Sequence, residues 1–215
     1  MEKLLRENPI IAIMRNIPDN IATDYIDCIS AGGIKCFEIA LNSPNAFQQI
    51  ELARKHCSQD IMIGAGTVLN AEQARRALDA GASFLLSPSV NSEVLDYCSR
   101  KKVRLLPGVM SPTDVSICLL YGFHILKLFP AAELPPNYIK SLKGPFQNTE
   151  YVAVGGVDTR NLVQFFQNGF IGVGIGSNLV SGEKLQNRQW EQITRDIQDL
   201  VAFAGKEKAH ENNQC

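Results

Sequence analysis

His124-Ile125-Leu126-Lys127-Leu128-Phe129-Pro130 is an apolar, strand-like run with one lysine inside it. A run of this kind, closed by proline, reads as a buried strand of a parallel sheet, where both faces are covered and polar alternation disappears. An ammonium buried without a partner is costly, so the group tends to lower its pKa and become neutral, and a neutral desolvated amine is a nucleophile. Position alone leaves two readings of Lys127 open: a Schiff-base nucleophile, or a strand-end cation that snorkels to solvent or pairs with Glu133.

Outward from this strand the same unit recurs. Upstream, Ile10 to Met14 reads as a first strand, a helical pattern runs from Asp19 to Ala31 and stops at Gly32-Gly33, and Ile34 to Ala40 reads as a second strand. Ile61 to Thr67, Phe84 to Leu86 and Val103 to Gly108 follow as strands, with helices predicted from Ala71 to Ala80 and from Ser92 to Arg100. A helix from Thr113 to Tyr121 leads into the lysine strand, which is the sixth. Downstream, Tyr151 to Val154 and Ile171 to Gly176 are the seventh and eighth strands, joined by a helix from Thr159 to Asn168. Glu2 to Arg6, halted before Pro9, predicts a short capping helix, and Asn187 to Phe203 predicts a last covering helix. Strict βα repetition forces parallel strands. About eight of them without a long linker predict an α/β fold, a (β/α)8 TIM barrel in a single domain over residues 1–205, in preference to an open doubly wound sheet. Residues 206–215 read as a polar, disordered C-terminal tail in which Cys215 is incidental.

Composition removes several function classes. The 215 residues carry 21 basic and 22 acidic side chains without blocks of either sign, so no phosphate-tracking face for nucleic acid is expected. A hydrophobic content of 45% with no long apolar segment argues against a membrane protein. The six cysteines lack C-x-x-C spacing and no apolar signal segment precedes the first element, which predicts reduced thiols in the cytoplasm. His56, His124 and His210 have no metal-ligand spacing, so no metal is expected.

In such barrels chemistry sits at the carboxyl ends of the strands. Arg15 follows the first strand, Glu38 lies in the second, Thr67 follows Gly64-Ala65-Gly66, Pro88 and Pro107 shape two turns, and Lys127 ends the sixth. Independent placement of these side chain types at equivalent ends is hard to read as core packing. Glu38, flanked by Phe37 and Ile39, is either a proton-shuttling carboxylate with a raised pKa or half of a structural ion pair with Lys127. Gly155-Gly156 and Gly176-Ser177-Asn178, after the last two strands, stand where barrels hold a phosphate on backbone N–H groups and a short helix N-terminus.

Taken in order, Phe37-Glu38-Ile39-Ala40-Leu41, Gly64-Ala65-Gly66-Thr67-Val68-Leu69, Leu86-Ser87-Pro88, Pro107-Gly108-Val109, Leu126-Lys127-Leu128-Phe129-Pro130, Gly155-Gly156 and Gly176-Ser177 resemble the 2-keto-3-deoxy-6-phosphogluconate (KDPG) aldolase / 4-hydroxy-2-oxoglutarate aldolase family, from about Pro9 to Val180. The resemblance implies a class I aldolase barrel, commonly a homotrimer, with no cofactor beyond a covalent Schiff base on Lys127 and with Glu38 as acid and base. It further implies that Thr67 helps hold the pyruvyl carboxylate, that Pro88, Phe129 and the Asn42 position meet substrate, and that Gly155, Gly156, Gly176 and Ser177 receive its phosphate. Two positions depart from the family pattern: Asn42 stands where arginine or threonine is usual, and Val154 where threonine is usual. Both changes remove polar contacts, the kind that discriminate hydroxylated substrates most strongly, and Arg15 is placed to supply a replacement carboxylate partner. The expected partners are a 2-keto acid substrate and pyruvate. The rival readings are a phosphosugar isomerase in which Glu38 is the base and Lys127 only an electrostatic group, and a catalytically silent sugar-acid-phosphate-binding barrel.

Overall fold

The computed structural model describes residues 2–212. Helix α1 (Glu2–Glu7) leads into β1 (Ile10–Met14), α2 (Ala22–Ala31), β2 (Cys36–Ala40), α3 (Ala46–His56), β3 (Met62–Gly66), α4 (Ala71–Asp79), β4 (Leu85–Leu86) and α5 (Ser92–Lys101). The chain continues with β5 (Leu105–Leu106), β6 (Gly108–Val109), α6 (Pro112–Leu120), β7 (Ile125–Leu128), α7 (Tyr138–Lys143) and β8 (Glu150–Val154). It ends with α8 (Leu162–Gln167), β9 (Gly172–Ile175), α9 (Gly182–Gln186) and α10 (Trp190–Asn212). Polar caps start several of these helices: Asn70 accepts the Gln73 N–H, Asn91 accepts the Val94 N–H, and Ser111 forms a reciprocal capping box with Asp114.

The strands are all parallel and run in the order β5-β4-β3-β2-β1-β9-β8-β7-β6. The two ends of that order are consecutive in sequence and separated by Pro107 alone. One expected strand is thus divided, because proline has no N–H for the ladder. Its first half pairs with β4, and Arg104 O just before it accepts the Leu85 N–H at 2.8 Å. Its second half pairs with β7, and Pro107 itself accepts the Lys127 N–H at 2.9 Å. The same stretch therefore closes the ring, and the (β/α)8 barrel of the sequence reading is the fold.

Alternation along the strands sorts the core into two layers. Phe37, Ile39, Leu126 and Leu128 face outward against the helices, whereas Ile11, Ile13, Cys36, Phe84, Leu86, Leu106, Val152 and Val154 fill the lumen. Leu5, fully buried on α1, joins the lumen cluster from the amino-terminal end and would lie 3.3 Å from a Cβ at Gly172. The short capping helix of the sequence reading is a plug. On the outside, α10 crosses α2 so closely that a Cβ on Gly32 would stand 2.4 Å from Ile197 Cγ2. Three helices, α3, α7 and α9, were not legible in the sequence, and α10 runs further than expected. Residues 206–212, read as a tail, continue α10, while 213–215, with Cys215, lie outside the described residues.

Truncating the plug should be costly for a residue on so short a helix. Leu5→Ala should destabilise the protein by about 3 kcal/mol, lowering Tm by about 6–12 °C, whereas Leu120→Ala on the surface should move it by less than about 2 °C. Calorimetric melting of the two variants checks this, and equal shifts would show that the lumen does not depend on α1.

Candidate active site

On β2, the lumen-facing side chain after Cys36 is Glu38, because Phe37 and Ile39 point outward. Its neighbours in register are Ile13 on β1 and Gly64 on β3. Two glycines shape the space it occupies. A Cβ on Gly66 would fall 1.6 Å from Glu38 Oε1, and a Cβ on Gly64 would fall 2.4 Å from the Phe84 ring below. Gly66 is thus the position whose missing side chain admits the carboxyl group. On β7, Leu126 and Leu128 pack outward and Lys127 points into the same lumen between Gly108 and Val152, its Nζ 5.3 Å from the centre of the Phe129 ring.

Both ionisable groups are buried, Lys127 at 4% exposure and Glu38 at 0%. Neither Glu38 oxygen has a hydrogen-bond partner among the described residues, so the structural ion pair with Lys127 is not formed, and no ion pair joins Lys127 to the exposed Glu133. Burial pushes the Glu38 carboxyl above its ordinary value, opposed by the charges of Lys127 and Arg15. Burial pushes the Lys127 amine below its ordinary value, opposed by Glu38 and reinforced by Arg15. The carboxyl is held toward its protonated form and the amine toward its neutral form. That is the pairing a nucleophilic amine with a proton-relaying partner requires.

Above them the strand ends form the mouth. Arg15, Phe129, Val154, Gly155, Gly156, Gly176 and Ser177 line one cavity of about 280 Å³. Gly155 and Gly156 hold φ of 95° and 74°, a region open to glycine, and the N–H groups of Gly155, Gly156, Gly176 and Ser177 have no acceptor among the described residues. Helix α9 begins only at Gly182, so these turn N–H groups, not a helix end, form the rim. Thr67 sits at the end of β3 with φ of 58°, an uncommon state for a β-branched residue and typical of strained functional positions. Pro88 is half-buried, its carbonyl carbon 2.4 Å from where a Gly108 Cβ would be. Asn42 is exposed in the turn after β2 and does not line the cavity.

The sequence reading missed Asn16 and Val157, which line the cavity together with Asn178 of the glycine turn, and Ser43, which is buried and accepts the Asn16 N–H at 2.9 Å. Asn16, next to Arg15, has φ of 56°, and asparagine is the non-glycine residue most at home there, a signal the sequence did carry. No three His, Cys, Asp or Glu side chains are grouped to hold a metal among the described residues.

Comparison with known proteins gives this geometry its relatives. A "Probable 2-dehydro-3-deoxy-6-phosphogalactonate aldolase" of Rhizobium meliloti is 35% identical over 80% of this chain and 82% of its own length. A 2-dehydro-3-deoxy-phosphogluconate aldolase of Treponema pallidum is 30% identical over 94% of each chain. Among solved structures, KDPG aldolase from Legionella pneumophila, with pyruvate captured as a covalent carbinolamine intermediate, superposes with a TM-score of 0.85 at 28% identity, covering 93% of this chain and 97% of that one. The sequence pattern of KDPG and KHG aldolases matches residues 1–196, and the chain belongs to that aldolase family.

Proposed function

We propose that the protein is a class I aldolase that cleaves a 2-keto-3-deoxy-6-phospho sugar acid to pyruvate and glyceraldehyde 3-phosphate, or 4-hydroxy-2-oxoglutarate to pyruvate and glyoxylate. The observation that carries it is Lys127, buried in the lumen with its pKa lowered and with the unpartnered Glu38 carboxyl sharing the same chamber. Neutral Lys127 attacks the C2 ketone, and Glu38 relays protons as the carbinolamine loses water to give an iminium. Glu38 then takes the C4 hydroxyl proton, the C3–C4 bond breaks, and its electron pair flows into the iminium to form an enamine while the aldehyde departs. Protonation of the enamine at C3 and hydrolysis return pyruvate and free lysine. The substrate and Lys127 supply the electron sink, so the reaction proceeds without an added cofactor.

Thr67 and Arg15 are the partners proposed for the carboxylate, with Pro88 and Phe129 bordering the substrate and the rim N–H groups of Gly155, Gly156, Gly176 and Ser177 receiving the phosphate. The named gluconate- and galactonate-type relatives support this substrate class without choosing between C4 epimers. Val154, buried in the lumen wall, offers the C4 hydroxyl no hydrogen bond. We further infer a homotrimer working in the cytoplasm. No helix among the described residues is long and apolar enough to cross a membrane.

Incubation with pyruvate and borohydride should add a pyruvyl-derived mass to Lys127 and abolish activity. Because burial holds the folded pKa below 10.5, the neutral fraction climbs as pH rises through that lower value, and the trapping rate should plateau before pH 10.5. Peptide mass spectrometry across a pH series decides this, and an unmodified Lys127 after full inactivation sinks the mechanism in favour of an isomerase or binding protein.

Glu38→Gln should cut kcat by about 10²- to 10⁴-fold. Because the raised pKa of Glu38 makes the folded state bind a proton that the unfolded state releases, the wild type loses stability as pH rises above the ordinary carboxylate range. The Gln variant lacks that loss, so its Tm advantage should grow with pH. A kcat within about threefold of wild type would reassign Glu38 to a structural role.

The phosphorylated acid should show higher kcat/KM than its unphosphorylated form, with gluconate- and galactonate-type epimers both cleaved, and Ser177→Ala should narrow the phosphate advantage. Equal kcat/KM with and without phosphate would remove the proposed phosphate end, and strong C4 selectivity would contradict the assignment to Val154.

A further inference from the structure

Residues Gly155-Gly156-Val157-Asp158 form a turn outside any helix or strand, yet three consecutive carbonyls in it have fixed partners. Gly155 O accepts the Ala132 N–H at 3.0 Å, Gly156 O accepts the Asn161 Nδ2–H at 2.9 Å, and Val157 O accepts the Asn178 Nδ2–H at 3.2 Å. The other end of the Asn161 amide is also engaged, its Oδ1 accepting the Asp158 N–H at 2.9 Å. Asn161 stands at the cap position of α8 but makes no side-chain capping bond to that helix; its amide is turned back onto the preceding turn.

A trans peptide is planar, with C=O and N–H on opposite edges, so anchoring a carbonyl aims the next N–H the other way. Drawing Gly156 O toward Asn161 turns the Val157 N–H away from Asn161, and drawing Gly155 O toward Ala132 does the same for the Gly156 N–H. Both residues line the cavity and neither N–H has an acceptor among the described residues. A Gly-Gly pair does not hold such an orientation by itself, because glycine changes the sign of φ at little steric cost. The nearby Asp158 carboxylate, which would repel an anion, is taken up by the Arg160 guanidinium.

We propose that Asn161 is a positioning residue for anion recognition: by clamping Gly156 O and the Asp158 N–H with the two ends of one amide, it fixes the N–H face of the turn toward the substrate phosphate. This rests on the phosphate end of the site proposed above and deepens it. Asn161 touches no substrate, and its effect belongs to binding of the phosphate, not to bond cleavage.

The test uses the full-length protein, with inorganic phosphate and pyruvate titrated separately by calorimetry into wild type, Asn161→Ala and Asn161→Asp. Asn161→Ala should weaken phosphate binding about tenfold and raise KM for the phosphorylated acid similarly, with kcat changing less than about threefold and pyruvate affinity less than about twofold. Asn161→Asp keeps the acceptor for Asp158 and loses the donor to Gly156, so it should be at least as weak for phosphate while still trapping pyruvate on Lys127. Phosphate affinity within about twofold of wild type in both variants, or a parallel fall in phosphate and pyruvate affinity, overturns the proposal. Wild-type protein that traps pyruvate but binds no inorganic phosphate overturns the phosphate end and the clamp together. Wild-type protein that binds phosphate and traps no pyruvate overturns the aldolase reading alone.

Discussion

Placing an amine and a carboxyl inside one apolar lumen, close enough to feel each other and not paired, is the constraint around which this barrel is arranged. Were Glu38 and Lys127 joined in a direct ion pair, each would stabilise the other's charge and the amine would be a poor nucleophile. Held apart among Ile13, Phe84, Leu106 and Val152, each is biased by desolvation toward its uncharged form. That arrangement opposes stability, since buried polar groups without partners are costly. The rigid ladder on either side sustains it: Lys127 is fixed by the Pro107 carbonyl on one flank and by β8 on the other.

The two ends of the pocket follow different rules. Near Lys127 the walls are side chains, and Val154 offers shape without hydrogen bonds. At the rim the donors are backbone N–H groups in turns after β8 and β9, where the Asn161 amide holds the Gly156 carbonyl. Affinity held by the main chain and selectivity held by side chains can vary independently, and relatives with galactonate- and gluconate-type names at similar identity fit that division.

Most strands were legible because parallel buried strands are continuous apolar runs bounded by glycine and proline, and Lys127 and Glu38 stood out as charges inside such runs. What escaped has physical reasons. Helix α3 buries Ala46, Gln49, Ile50 and Ala53, a stripe too small and too polar to read as amphipathic, and α7 has only six residues. Residues 206–212 are charged but strong helix formers, so they extend α10 where polarity suggested a tail. Gly66 was read as part of a motif, though its role is the volume it leaves to Glu38 from a neighbouring strand. Asn42 was placed by resemblance, and its turn carries it away from the cavity. Asn161 acts on main-chain atoms, and no pattern of residue types announces that.

The Leu5 plug also bears on the order of events in time. With the amino-terminal end of the lumen filled by α1, the proposed substrate would approach Lys127 from the carboxyl ends of the strands, on the side of Phe129. The pyruvyl group proposed on Lys127 would lie deepest, with the fragment beyond C3 between it and solvent. On that proposal the aldehyde leaves first and pyruvate last, and in the synthetic direction pyruvate loads before any acceptor. A lumen filled at one end makes the sequence of binding and release a matter of depth.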